Sequence, residues 1–360
     1  MWCTKLGLIM PGSVDHKAIE KNSGINISHL QEWMNARGIG QGIIKDTELL
    51  AGGTQNILMR FSRKGEFYVL RRPPLFPRPN SNESIRREVK VLSALKNTSV
   101  PHPMIIADET EDSEFGFAFY IMRWIDGFNV TNEMPALHAS NPSIRFEMGM
   151  NLVRTAADLS KIDYVAVGLS DFGNVDNYLS RQVKRWLKQV EGYCNVEQWP
   201  GPDNIPGLLK VSDWLERYQP STFSPGLMHG DFHVANVMFD RWSPKILAVI
   251  DWELSTLGDP LIDFAWLLVT WPNEDDEKGI FNVSPWQGFP TSREMVDCYK
   301  EISGRDLSSL DWYRVFACFK LGILLESTYV RACAGKVPME KGKVMHDMTR
   351  YLFNQALSII

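Results

Sequence analysis

Leu227-Met228-His229-Gly230-Asp231-Phe232-His233-Val234-Ala235-Asn236-Val237-Met238-Phe239, followed closely by Ile246-Leu247-Ala248-Val249-Ile250-Asp251-Trp252-Glu253, is the stretch that decides the fold. Its apolar runs, Val237 to Phe239 and Ile246 to Ile250, read as two short strands. Ahead of them lies a loop bearing Asp231 and, five residues on, Asn236, while the second strand delivers Asp251 at its end. An Asp, an Asn and a second Asp brought near one point are hard oxygen donors of the kind Mg²⁺ takes. Phosphoryl transfer asks little more of a protein: a metal to neutralise charge, a carboxylate to orient an attacking hydroxyl and accept its proton, and clamps on the phosphates. A lone loop Asp is more often a turn or cap residue. The joint pattern, with its strands and spacing, carries the reading.

Upstream, Leu49 to Arg72 reads as strands around Ala51-Gly52-Gly53-Thr54-Gln55-Asn56, the last ending in Phe67-Tyr68-Val69-Leu70-Arg71 before Pro73-Pro74 stops it. A helix is expected near Ser28 to Ala36 and another from Ser81 to Leu95, then strands at Met104 to Ala107 and Phe117 to Ile125. Beyond Asp126-Gly127 the pattern turns to long amphipathic helices at about 144–161, 175–191, 291–303, 309–333 and 341–358. The expected architecture is α+β: a flexible leader over 1–25, a small strand-and-helix unit over 26–125, and a large helical unit over 126–360. In the helix that starts at Ser81, Ile85, Glu88, Leu92 and Leu95 recur at helical spacing, which puts Glu88 inside the apolar stripe. A carboxylate there needs a partner.

On these residues the chain resembles the protein-kinase-like fold, and His229-Gly230-Asp231 gives the form typical of the aminoglycoside phosphotransferase and choline kinase-like family. The likeness is closest through Asp251-Trp252-Glu253-Leu254-Ser255-Thr256-Leu257-Gly258-Asp259-Pro260-Leu261-Ile262-Asp263, which is similar to the kinase-like domain fused to some acyl-CoA dehydrogenases. The resemblance implies a two-lobed fold, with a small N-terminal antiparallel sheet plus helix and a larger, mainly helical C-terminal lobe. It implies transfer of the γ-phosphoryl group of Mg-ATP to a small-molecule hydroxyl. Within the catalytic group it makes Asp231 the base, His229 the residue that shapes the loop, and His233 a contact to the transferred phosphoryl group. Mg²⁺ falls to Asn236 and Asp251, with Glu253 a further candidate. Arg71 stands where the family places a lysine, paired with Glu88. Gly52, Gly53, Thr54, Gln55 and Asn56 would cover the phosphates, and main-chain groups of Arg123 and Ile125 would face adenine. Asp263 would support the catalytic loop, and Asp259 would cap.

Bulk properties narrow the function further. Apolar residues form 44% and charged residues 22% of the 360, an ordinary globular balance. A net charge of -5 without a basic run leaves nothing to attract nucleic acid. Five cysteines, an odd number with no C-x-x-C pair, fit neither a zinc module nor a complete disulfide framework and suit a reducing cytoplasm. Met1 to Met10 lacks the long apolar core of a signal peptide, and Phe264 to Val269 is far short of a membrane span, so no membrane partner is expected. Asp263 follows Asp251 by only 12 positions with no A-P-E motif, which leaves no platform for a polypeptide acceptor. The rival of another class is a nucleotide-binding, pseudokinase-like regulatory module, which Arg71 favours and the intact Asp231, Asn236 and Asp251 oppose. For the acceptor, acids barely outnumber bases after Asp259, and four of them sit together in Glu274-Asp275-Asp276-Glu277, so no acidic cradle for a polycationic sugar is apparent. Trp266, Trp271, Trp286 and Phe289 suit the core, or a pocket for an acyl-bearing alcohol such as a hydroxyacyl compound.

Overall fold

A computed structural model describes residues 16–50, 56–111, 114–272 and 279–360. The N-terminal half is organised by one antiparallel sheet of β1 (Lys45–Leu49), β2 (Ile57–Arg63), β3 (Glu66–Arg72), β4 (Ile105–Glu109) and β5 (Phe119–Arg123), in the order β1-β2-β3-β5-β4. Lys64 and Gly65 turn the β2–β3 hairpin with φ of 50° and 86°, the backbone that a two-residue loop demands of both its positions. Side-chain alternation along β3 sends consecutive residues to opposite faces. Leu70 joins Met59, Phe61, Phe119 and Ile121 on the outer face, under α2 (Ile27–Ala36) with its buried Leu30, Trp33 and Met34. Arg71 points to the inner face, under α3 (Ser81–Leu95), whose Ile85, Val91, Leu92 and Leu95 enter the main core.

The flexible leader expected over 1–25 does not hold for its last ten residues. His16–Ser23 form α1, and Ser23 and Ile25 are fully buried. The reason lies on β3: Arg72, turned outward, donates Nη1 to the carbonyls of Ser23 and Gly24 at 3.0 and 3.3 Å and lies 3.4 Å over the Phe117 ring. Asn26 then caps α2 by accepting from His29 N–H.

After β5 the chain runs through the short strand β6 (Gly127–Phe128) into α4 (Ala136–Ser140), α5 (Pro142–Ser160), α6 (Tyr178–Tyr193) and α7 (Leu208–Arg217). Next come β7 (Gly226–Met228), β8 (Val237–Asp240), β9 (Ile246–Val249) and β10 (Thr256–Gly258). Then follow α8 (Leu261–Thr270), α9 (Ser292–Ser303), α10 (Leu310–Cys333) and α11 (Met339–Ile359). β6, β8 and β9 form one small sheet, and β10 pairs with β7 in another. Every residue of α8 is buried, as befits a helix apolar on all sides, and the long α10 packs against it and against α11. The main core runs from α3 through these helices and places the β7–β8 and β9–β10 connections where the two halves meet. Among the described residues no helix is long and apolar enough to cross a membrane.

Candidate active site

β7 ends at Met228, and the loop beyond it is held by its main chain. Asp263, on the first turn of α8, accepts the N–H of His229 at 2.5 Å through Oδ2 and that of Gly230 at 2.9 Å through Oδ1. Gly230 adopts a φ of 86°, and a Cβ there would stand 2.3 Å from the Leu254 carbonyl oxygen, so both backbone and space require glycine. His229 is fully buried. Its Nε2 lies 2.9 Å from the Ile250 carbonyl and its Nδ1 takes the Asp231 N–H at 3.3 Å, which fixes the tautomer. Burial pushes its imidazole down, towards the neutral form that this pairing needs. Both nitrogens are therefore committed to main chain. The structure corrects the grouping of His229 with the catalytic residues: it ties the Asp231 loop to the end of β9 and has no atom left for a substrate.

Asp231 is surrounded by donors. Trp266 Nε1 donates to Oδ1 at 3.0 Å, His233 Nε2 stands 3.1 Å from the same oxygen, and Asn236 Nδ2 donates to Oδ2 at 3.0 Å and to the Asp231 carbonyl at 2.9 Å. Burial alone would push this carboxyl up, but His233, His229 and Lys320 hold it well below the usual carboxylate range. It is an anion positioned by three side chains. His233 is 5% exposed, with Nδ1 buried and unpartnered and Phe281 beside its ring at 4.4 Å.

Asp251 follows β9 in a left-handed conformation, φ 68° and ψ 59°, which a non-glycine residue adopts at some cost and which recurs at functional sites. It meets the residues carried by the N-terminal sheet. Arg71 Nε lies 2.8 Å from Glu88 Oε2, and Nη2 lies 3.1 Å from Glu88 Oε1, 3.0 Å from Asp251 Oδ1 and 3.6 Å from Glu253 Oε2. Tyr120 donates its hydroxyl to Glu88 Oε2 at 2.9 Å. Burial pushes the Glu88 carboxyl up, and Arg71 and Tyr120 work against that shift. Burial together with Asp251 pushes Glu253 up to about 7, with Arg71 pulling it down, and Asn56 Nδ2 lies 3.2 Å from its Oε2.

For a divalent cation the donor chemistry fits. Asn236 directs its Nδ2 at Asp231 and so turns Oδ1 away from it, and Asp251 keeps Oδ2 beyond its contact with Arg71. Among the described residues no three His, Cys, Asp or Glu side chains converge into a cage of their own. One carboxylate and one amide oxygen completed by phosphates and water is how Mg²⁺ is usually held.

The structure thus brings Asp231, His233, Asn236, Asp251, Glu253, Arg71, Glu88 and Asn56 into one region. Gly52, Gly53, Thr54 and Gln55 lie outside the described residues, as does Glu274 to Glu277. At the end of β5, Arg123 N–H donates to the Met104 carbonyl at 3.2 Å, so only its carbonyl remains for a ligand. Among the described residues the Ile125 N–H meets no backbone carbonyl, while the Ile125 oxygen takes Gly127 N–H at 3.0 Å. Sequence reasoning offered Trp266 for the core or an acceptor pocket, not as a partner of Asp231, and passed over Lys320 and Tyr120 as site residues. Trp266 stands three positions after Asp263, on the same side of α8. Lys320, a lone cation among Phe319, Leu321 and Ile323, donates Nζ to the Gly230 carbonyl at 3.1 Å.

"Probable acyl-CoA dehydrogenase IBR3" of Arabidopsis thaliana is 29% identical over 337 residues, 89% of this chain. The chain spans only 39% of that protein's length. The solved structure of a candidate aminoglycoside phosphotransferase from Ralstonia eutropha JMP134 is 28% identical, superposes with a TM-score of 0.75, and is matched over 92% of this chain and 98% of its own. Choline kinase from Cryptosporidium parvum Iowa II, 14% identical, shares the fold with a TM-score of 0.58 over 96% of this chain and 95% of its own. Residues 46–280 match the profile of the phosphotransferase enzyme family. The chain, two-lobed and kinase-like in fold, belongs to that family of small-molecule kinases.

Proposed function

We propose that this protein transfers the γ-phosphoryl group of ATP to a hydroxyl of a small molecule, with Asp231 as the catalytic base. The observation that carries this reading is the meeting of two groups: Asp231 with Asn236 on one loop, and Asp251 with the Arg71–Glu88 pair across the cleft. In the proposed step the acceptor oxygen bonds to the γ-phosphorus as the bond to the bridging oxygen breaks. The hydroxyl proton passes to the Asp231 carboxylate and ADP leaves. A carboxylate held so far into its anionic form orients the hydroxyl and takes the proton late, as a loose transition state allows. Mg²⁺, bound through Asn236 and Asp251 with Glu253 close by, would neutralise charge on the β- and γ-phosphates. Arg71 is held flat by Glu88 and presents its remaining N–H groups to the phosphates, a fork that suits them as well as a lysine would. His233, whose Nδ1 has no hydrogen-bond partner among the described residues, is the proposed contact to the transferred group. The Arg123 carbonyl and the Ile125 N–H are the main-chain partners proposed for adenine.

The acceptor class we favour is a hydroxyacyl compound, supported by the likeness to part of an acyl-CoA dehydrogenase family protein; Trp271, Trp286 and Phe289 pack on one another at the main core and lend it no support. A polycationic aminoglycoside is disfavoured by the cation Lys320, which donates to the Gly230 carbonyl beside Asp231. The cytoplasm, with its ATP and its reducing poise, suits an enzyme whose described cysteines are all free. Asp231→Asn tests the assignment: transfer from γ-labelled ATP to a panel of hydroxyl compounds should fall by about three orders of magnitude or more, with ATP binding retained. Turnover near that of the parent would remove Asp231 from the role. ATP binding by the parent without transfer to any hydroxyl would instead favour the nucleotide-binding regulatory module, which Arg71 in the lysine position makes worth testing.

A further inference from the structure

Two cations near Asp231 make no ion-pair contact among the described residues. Lys320, on α10, has the Gly230 carbonyl as its hydrogen-bond partner and stands 4.5 Å from the centre of the Trp266 ring and 5.9 Å from that of Trp186, on α6. Arg185 holds its guanidinium 5.6 Å from the same Trp186 ring. Among the described residues neither cation has a carboxylate within ion-pair distance. Asp263 and Asp231 act on Lys320 only through space, and burial pushes its ammonium down against their pull. Trp186 itself is 7% exposed, and its Nε1 is buried with no hydrogen-bond partner among the described residues.

Such an arrangement is costly unless something completes it. A buried N–H left unpaired forfeits its hydrogen bond to water, and a half-buried ammonium whose anions stand beyond ion-pair contact regains only part of its lost hydration. The three side chains are all donors, two are cations, and they gather on one indole next to the carboxylate that positions the attacking hydroxyl. An anionic oxygen group brought in by the acceptor satisfies all three. Trp266 links this corner to the chemistry, because its face lies against Lys320 while its Nε1 holds Asp231.

We propose that Lys320, Arg185 and Trp186 Nε1 form the anchor for an anionic group of the acceptor, which is therefore a hydroxyl compound carrying a carboxylate or a phosphate. The inference rests on the kinase reading of the site and narrows its substrate class. It separates this protein from kinases of amino alcohols and amino sugars, whose acceptors bring positive charge.

The test is kcat/KM, followed by ADP release, on matched sets: hydroxycarboxylates, their methyl esters and amides, the amino alcohols of the same chain length, and hydroxyl compounds bearing a phosphate monoester. The parent should favour the anionic members by about ten- to a hundredfold, the range for a charge-assisted hydrogen bond. Lys320→Met should erase most of that preference, Trp186→Phe and Arg185→Gln part of it, and Lys320→Arg should restore it. A merely structural role would lower all acceptors alike. Because Lys320→Met touches the catalytic loop and could unfold it, Trp186→Phe, which keeps the ring, and the exposed Arg185→Gln decide the matter on their own. The carboxylate and phosphate arms tell the two anions apart. Equal or better use of neutral or cationic members, or a preference that survives every variant, would overturn the proposal. If no hydroxyl compound accepts phosphate from ATP, the kinase reading fails separately. The anchor is then read by the salt-sensitive quenching of tryptophan fluorescence by the same carboxylates, phosphate monoesters and inorganic phosphate, and quenching unchanged in Trp186→Phe and Arg185→Gln would sink it.

Discussion

Replacing Asp263 by asparagine should destabilise the protein by an amount that depends on pH in a stated direction. Asp263 is 3% exposed, and each of its carboxylate oxygens accepts one buried N–H, from His229 and Gly230. An amide offers one acceptor oxygen, so in Asp263→Asn one of those N–H groups faces an NH₂ and loses its partner, at a cost of about 1–3 kcal/mol. Against this stands the cost of a buried charge. Burial pushes the Asp263 carboxyl up to about 6 from the model-compound 3.8, while the two N–H bonds and Lys320 pull it down. A folded value above the unfolded one means that the folded state holds the proton more tightly. The resulting stability is complete below about pH 3.8 and is lost as pH rises through about 6. A gap of about 2 units corresponds to about 3 kcal/mol, which the parent loses between about pH 4 and pH 7 and the variant, having no proton there, does not. The destabilisation of Asp263→Asn is thus largest near pH 4 and shrinks by about 3 kcal/mol by neutrality. Urea unfolding of both proteins at the two pH values, followed by circular dichroism, measures the difference. A stability gap between parent and variant that stays the same at both would refute the reasoning.

Other outcomes follow from the same contacts. Asp251→Ala should weaken ATP binding in the presence of Mg²⁺ far more than in its absence, and calorimetric titrations with equal Mg²⁺ dependence in variant and parent would move the metal elsewhere. Arg71→Ala and Glu88→Ala should be non-additive by about 1–3 kcal/mol in transition-state stabilisation, because either change strands the same buried pair; additive losses in the double-mutant cycle would contradict the pairing. Gly230→Ala should abolish transfer and lower the melting temperature, since its Cβ would collide with the Leu254 carbonyl at a positive φ; a variant as stable and active as the parent would show that the loop is not held in that form.

Much of this molecule was readable because its periodicities are strong. The amphipathic stripes of α5, α6, α9, α10 and α11 announce themselves, and the strands of the N-terminal sheet are bounded by Gly, Pro and Asp signals. α8 showed only as an apolar run, because a helix buried on all sides has no polar face and hence no period. α1 was taken for loose chain because it is eight residues long and polar, and its place depends on Arg72, a contact made across 48 and 49 positions of sequence. β6, β7 and β10, of two or three residues, carry no pattern at all. The chemistry-bearing residues were legible where spacing along one segment brings them together, as with Asp231, Asn236 and Asp251, or where burial demands a partner, as with Glu88. Lys320, and the bond from Trp266 to Asp231, were not, because a lysine in a long helix looks like surface and a tryptophan in an apolar one like core or pocket until packing aims them at the same loop. His229, given by the resemblance as the residue that shapes the loop, faces main chain with both ring nitrogens.

The pairing of β10 with β7 has a mechanical meaning. Thr256, Leu257 and Gly258 are laddered to Met228, Leu227 and Gly226, so the chain leaving Asp251 returns at once to the strand that enters the catalytic loop. Asp231 and Asp251 therefore sit on a closed hoop of backbone, clasped by that ladder and, beside it, by the grip of Asp263 on His229 and Gly230. A hoop has no slack. Protein kinases keep a long free segment at this point, which modification can throw between an open and a shut state. Here the hoop is fastened as soon as the chain has folded.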